Sequence, residues 1–148
     1  MNEDILKQKV REALRKFNAE KQYLYSVNIY EPTLCHRIAL HLEEQFKSAK
    51  YVVDCEFNKN MSGSKTNDQE SKIRPDIIVH KRASLSDNLL IIEVKKGSKN
   101  TKLAEGDIKK LRRIKDLNYF KRLFLGILKN KIDLVWVEDL GQVDEIIK

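Results

Sequence analysis

Residues 73–96 read IRPDIIVH, a polar insert KRASLSD, and NLLIIEVKK. Two hydrophobic runs separated by a short polar segment predict a β-hairpin, the first strand opening on Pro75-Asp76 and the second ending in Glu93-Val94-Lys95. Side chains alternate along a strand, so Leu89, Ile91, Glu93 and Lys95 share one face and Leu90, Ile92 and Val94 the other. The second strand is apolar on both faces, which predicts burial on both sides. A carboxylate and an ammonium therefore stand together at the end of a buried strand. That arrangement costs free energy unless the charges are paired or bind a metal.

The flanking segments supply the other elements. Upstream, YVVDCEFN (51–58) predicts a strand with Val53, Cys55 and Phe57 on one face and Val52, Asp54 and Glu56 on the other. The polar, aperiodic stretch that follows predicts a mobile loop over about 58–72, open to a flap role or to simple exposure. Glu31-Pro32 opens a helix with Glu31 at the N-cap, a stripe of Leu34, Ile38, Leu42 and Phe46, and an end near Ser48-Ala49. A first helix starts at an Asn2 cap and buries Leu6, Val10, Ala13, Leu14 and Phe17. The segment from Asn18 to Tyr30 fits a strand, a helical turn or a loop.

Downstream, Ala104 to Leu117 predicts a helix with Ala104, Ile108, Leu111, Ile114 and Leu117 inward and Lys109, Lys110, Arg112 and Arg113 on a solvated outer side. RLFLGILKN and KIDLVWVEDL read as two strands joined near Asn130, with Trp136 in the core, and VDEIIK as a helical turn. The expected class is α/β with a mixed sheet, in one domain spanning 1–148.

Pro75-Asp76 followed by Glu93-Val94-Lys95 on paired strands resembles the PD-(D/E)xK nuclease superfamily. VDCEFN, IRPDIIVHKR and NLLIIEVKK are also similar to a group of small bacterial members. The resemblance covers about residues 31–128 and implies a restriction-endonuclease-like α-β-β-β-α-β core, with an added N-terminal helix and C-terminal strand. It implies metal-dependent hydrolysis of phosphodiester bonds. Asp76 and Glu93, with the Val94 carbonyl, would hold Mg²⁺ or Mn²⁺, and Lys95 would assist the attacking water or the transition state. Superfamily members often carry another acid at the start of the helix before the first strand. Glu31 holds that position, where an acid also suits the helix dipole; Glu56 competes as the third carboxylate.

Formal net charge is +7 and pI about 9.3, which suits a polyanionic partner. His36, Arg74, Lys96, Lys99 and Lys102 are the candidate phosphate contacts, with DNA the favoured nucleic acid. Two sites in a homodimer would serve both strands of a duplex. Cys35 and Cys55 lack metal-ligand or disulfide patterning and read as buried thiols in a reducing compartment. No secretory leader or membrane-spanning run is evident, so a cytoplasmic protein is expected. Two other classes stay open: an inactive nucleic-acid-binding module, and a protein-interaction module on the same fold.

Overall fold

The computed structural model describes residues 1–26, 30–55, 59–60, 63–64, 75–82, 88–114 and 121–148. Among the described residues there are three α-helices, a six-stranded mixed sheet and a separate two-stranded ladder. The helices are α1 (Glu3–Ser26), α2 (Glu31–Phe46, followed by a 3-10 turn at Lys47–Ala49) and α3 (Lys102–Arg112). The strands are β1 (Val52–Cys55), β2 (Lys59–Asn60), β3 (Gly63–Ser64), β4 (Ile77–His80), β5 (Asn88–Lys96), β6 (Lys121–Ile127), β7 (Ile132–Val137) and β8 (Gln142–Ile147). The large sheet runs β1-β4-β5-β6-β7-β8. Only the β5–β6 pair is parallel in it, and α3 lies in the connection between those two strands.

β5 is the centre of this arrangement. Residues 88–94 are all buried, because helices cover both faces of the sheet. Leu90, Ile92 and Val94 join Ile77, Leu123, Leu125 and Trp136 beneath α1 and α2. Ile91 joins Ile78, Phe124 and Val135 beneath Ala104, Ile108 and Leu111 of α3. Leu89 departs from the expected alternation and packs on the α1–α2 side. The cause is a register shift at Val79/His80, where His80 pairs with Asn88 while Val79 pairs with Leu90.

Several boundaries differ from the sequence expectation. The Asn2 cap of α1 is present, with its Oδ1 accepting the Ile5 N–H at 2.9 Å, and the helix runs on through the ambiguous segment to Ser26. Tyr30, not Glu31, caps α2: its carbonyl accepts the Thr33 and Leu34 N–H groups, so Glu31 is the first helical residue. α3 starts earlier than expected because Thr101 caps it, its Oγ1 accepting the Ala104 N–H at 3.1 Å. It ends at Arg112, where Arg122 Nη1 donates to the Leu111, Arg112 and Ile114 carbonyls and satisfies groups that a helix end leaves unpaired. Ile114 is buried beyond the helix end; Leu117 lies outside the described residues.

VDEIIK is strand β8, not a helical turn. Val143, Glu145 and Ile147 pair with Trp136, Leu134 and Ile132, and Glu145 Oε2 accepts the Trp136 indole N–H at 2.6 Å. Within the segment expected as a mobile loop, β2 and β3 form a two-residue ladder; residues 61–62 and 65–74 lie outside the described residues. No helix among the described residues is long and apolar enough to cross a membrane.

Candidate active site at the end of the β4–β5 hairpin

Asp76 immediately precedes β4, and continuing the Ile77↔Ile92 pairing by one step sets it opposite Glu93. Its Oδ2 accepts the Val94 N–H at 2.8 Å. A strand residue presents its N–H and carbonyl toward the same edge, so the Val94 carbonyl also faces the Asp76 side of β5. The register brings Pro75 opposite Val94, and proline has no N–H to give that carbonyl.

Glu93 and Lys95 both turn toward the α3 side of the sheet. Lys95 Nζ stands 3.6 Å from Asp107 Oδ2 on α3 and 3.8 Å from Glu31 Oε1 on α2. Lys110, one turn beyond Asp107, brings its Nζ to 3.4 Å from Glu93 Oε1. These residues line a cavity of about 380 Å³. Four carboxylates (Glu31, Asp76, Glu93, Asp107) meet two ammonium groups there, a surplus of negative charge suited to a cation.

Glu93 is buried, and its Oε1 has no hydrogen-bond partner despite the nearby Lys110 charge. Burial first, and then the Asp76 charge, push its carboxyl up to about 8. Lys110 opposes the shift, while a hydrogen bond with Asp76 and the charge of Asp107 add to it. Lys95 is raised from its ordinary value: burial lowers it, but the charges of Asp107 and Glu31 outweigh that penalty.

No family model, curated protein or solved structure matches this chain.

Hard oxygen donors from Asp76 and Glu93, a backbone carbonyl and an orphaned buried carboxylate oxygen fit a divalent cation. Among the described residues, no three Asp, Glu, His or Cys side chains are grouped closely enough to form a metal cage. Mg²⁺ does not require one, because it keeps several waters and takes only one or two carboxylates. The third carboxylate at the cavity is Glu31; Glu56 lies outside the described residues, as does Arg74.

Of the expected phosphate contacts, His36 is exposed and lines the cavity. Lys96 follows Lys95 on the strand, so alternation turns it to the opposite face. Lys99 points elsewhere and pairs with Asp144 at 2.7 Å. Lys102 is exposed at the start of α3 and is not among the residues lining the cavity. Lys110, expected on a solvated face, instead joins Lys95 among the carboxylates by reaching Glu93.

Asp107 and Lys110 were not among the sequence candidates. The signal that could have found Asp107 is its place in the inward stripe Ala104, Asp107, Ile108, Leu111. Of the two cysteines, only Cys55 differs from the expectation of burial. Cys35 is buried, and burial together with nearby carboxylates pushes its thiol up, so it stays protonated and inert. Cys55 is exposed, because it ends edge strand β1 at the cavity mouth.

Proposed function

We propose that this chain is a metal-dependent phosphodiesterase acting on nucleic acid, with DNA the favoured substrate, on a restriction-endonuclease-like core. The succession α2, β1, β4, β5, α3, β6, with β4, β5 and β6 adjacent, supports that core. The observation that carries the reading is the convergence of Asp76, Glu93, the Val94 backbone and Lys95 at one end of a buried hairpin, inside an acidic cavity.

Asp76, Glu93 and the Val94 carbonyl are the groups that would hold Mg²⁺ or Mn²⁺. The ion, when bound, acidifies water and neutralises charge on the scissile phosphate. The residues of the chain supply the rest. Asp76 is held in place by the Val94 N–H. Lys95, steadied between Glu31 and Asp107, presents an ammonium that orients the attacking water or stabilises developing negative charge. Lys110 adds a second cation beside Glu93.

A thermal-shift titration of wild type and Asp76→Ala with Mg²⁺ and Mn²⁺, read beside cleavage of duplex DNA, single-stranded DNA and RNA, tests the reading. Wild type should be stabilised by the ions, since they bind the native state, and should cut. Asp76→Ala should do neither. Cleavage by Asp76→Ala would overturn the mechanism. Nucleic-acid binding without cleavage under either ion would favour the inactive binding module instead.

A further inference from the structure

Gly106 lies in the middle of α3 on its exposed side, and nothing among the described residues requires a glycine there. A Cβ built on it meets no atom within 4 Å, and its φ lies outside the left-handed region. Gly126 shows the contrast, since a Cβ there would stand 2.6 Å from the Gly97 carbonyl oxygen. A glycine inside a helix weakens it relative to alanine. An exposed one with open space around it leaves bare backbone that a partner can approach closely.

The surrounding residues indicate what that partner is. At 100° per residue, Lys102, Lys109 and Arg113 fall on the same helix face as Gly106. All three are exposed, and among the described residues none forms an ion pair or side-chain hydrogen bond. Glu105 lies about a quarter-turn away, and Asp107 is engaged with Lys95. Lys99 and Arg122, by contrast, are committed to Asp144 and Asp139. Lys110, one turn after Gly106, links this face to the cavity through Glu93.

We infer that the exposed face of α3 seats the backbone of duplex DNA, one strand crossing at Gly106 with its phosphates met by Lys102, Lys109 and Arg113. This rests on the nucleic-acid reading of the cavity and extends it to a docking face. Lys102 and Arg113 stand about 16 Å apart along the helix axis, a span long enough for the row to meet more than one phosphate of a single strand. That strand passes over Lys110 into the cavity.

The test is binding of a labelled 20-base-pair duplex in EDTA across a salt series, with each variant's melting temperature recorded. Replacing Lys102, Lys109 and Arg113 together by glutamine should flatten the log–log salt slope by about 2.7, the release expected for three phosphate contacts. Gly106→Leu should bind at least tenfold more weakly while melting no lower than wild type. Lys16→Gln, on α1, should bind as wild type does. An unchanged slope in the triple variant, wild-type affinity in Gly106→Leu, or equal affinity of wild type for polyglutamate would overturn the inference. An unchanged slope with cleavage intact would remove the docking face and leave the nuclease reading standing. A flattened slope with no cleavage in Mg²⁺ or Mn²⁺ would do the reverse.

Discussion

Lys110 Nζ, on α3, stands 3.4 Å from Oε1 of Glu93, the buried acid of β5. The pair joins α3 to the central strand of the sheet, yet the oxygen has no hydrogen bond. Attraction between the two depends on Glu93 being ionised, and burial and the Asp76 charge oppose that. The site is thus held in an electrostatically costly state, as expected of groups kept for chemistry and not for stability.

Replacing Glu93 by glutamine should stabilise the metal-free protein by about 1–3 kcal/mol at pH 8, the usual cost of a buried unsatisfied polar group. The sign follows from the raised carboxyl. Below about pH 4.5 the native and unfolded states both hold the proton. Between that value and about 8 the unfolded chain loses its proton first, so stability falls as pH rises. The advantage of Glu93→Gln should therefore be absent at pH 4 and greatest above pH 8 in urea melts. A variant that is less stable than wild type at pH 8 would contradict this account. The same variant should lose stabilisation by Mg²⁺.

Lys95 and Asp107 should separate chemistry from positioning. Lys95→Met should lower kcat for cleavage at least 10²-fold, within the range for loss of an electrostatic stabiliser, with little change in stability, because the ammonium is partly exposed. Asp107→Asn leaves the ammonium in place and loosens its orientation, so a loss of about tenfold is expected. Asp107→Asn should also shift the high-pH limb of the kcat profile downward, since the Asp107 charge helps raise Lys95. Equal losses in the two variants with unchanged pH profiles would show that Asp107 does not act through Lys95.

Gly126→Ala should cost about 1–3 kcal/mol, the usual range for overpacking. The added Cβ would meet the Gly97 carbonyl oxygen at 2.6 Å and the Lys99 N at 3.2 Å. Gly97 has φ of 121°, and its N–H is bonded to the Ile127 carbonyl at 2.8 Å, so that segment cannot withdraw freely. The displaced turn leads into α3, and Mg²⁺ stabilisation should weaken as Asp107 and Lys110 shift. A chemical melt beside an ion titration measures both effects; wild-type behaviour in each would show that the turn yields without strain.

The local period of the sequence was enough to show the β4–β5 hairpin, the buried stripe of α2, the Asn2 cap and the placing of Asp76, Glu93 and Lys95 on a common strand end. Those features depend on residues near one another in the chain, where alternation and helical spacing leave few alternatives. The helix–sheet layering followed from a strand that is apolar on both faces. Periodicity did not distinguish β8 from a turn, because VDEIIK becomes a strand through pairing with β7. Nor did it show that α1 runs to Ser26.

Tertiary structure alone decided which charges share the cavity. Lys96, Lys99 and Lys102 lie close to Lys95 in sequence, yet strand alternation and the Asp144 pair direct two of them elsewhere. Asp107 and Lys110, more distant in sequence, reach Lys95 and Glu93 because Ala104, Ile108 and Leu111 press α3 onto the sheet. Ion pairs form across packed elements, and their partners are set by how two apolar faces meet. The sequence by itself determined where the acidic strand end is; the packing of α3 determined which cations stand beside it.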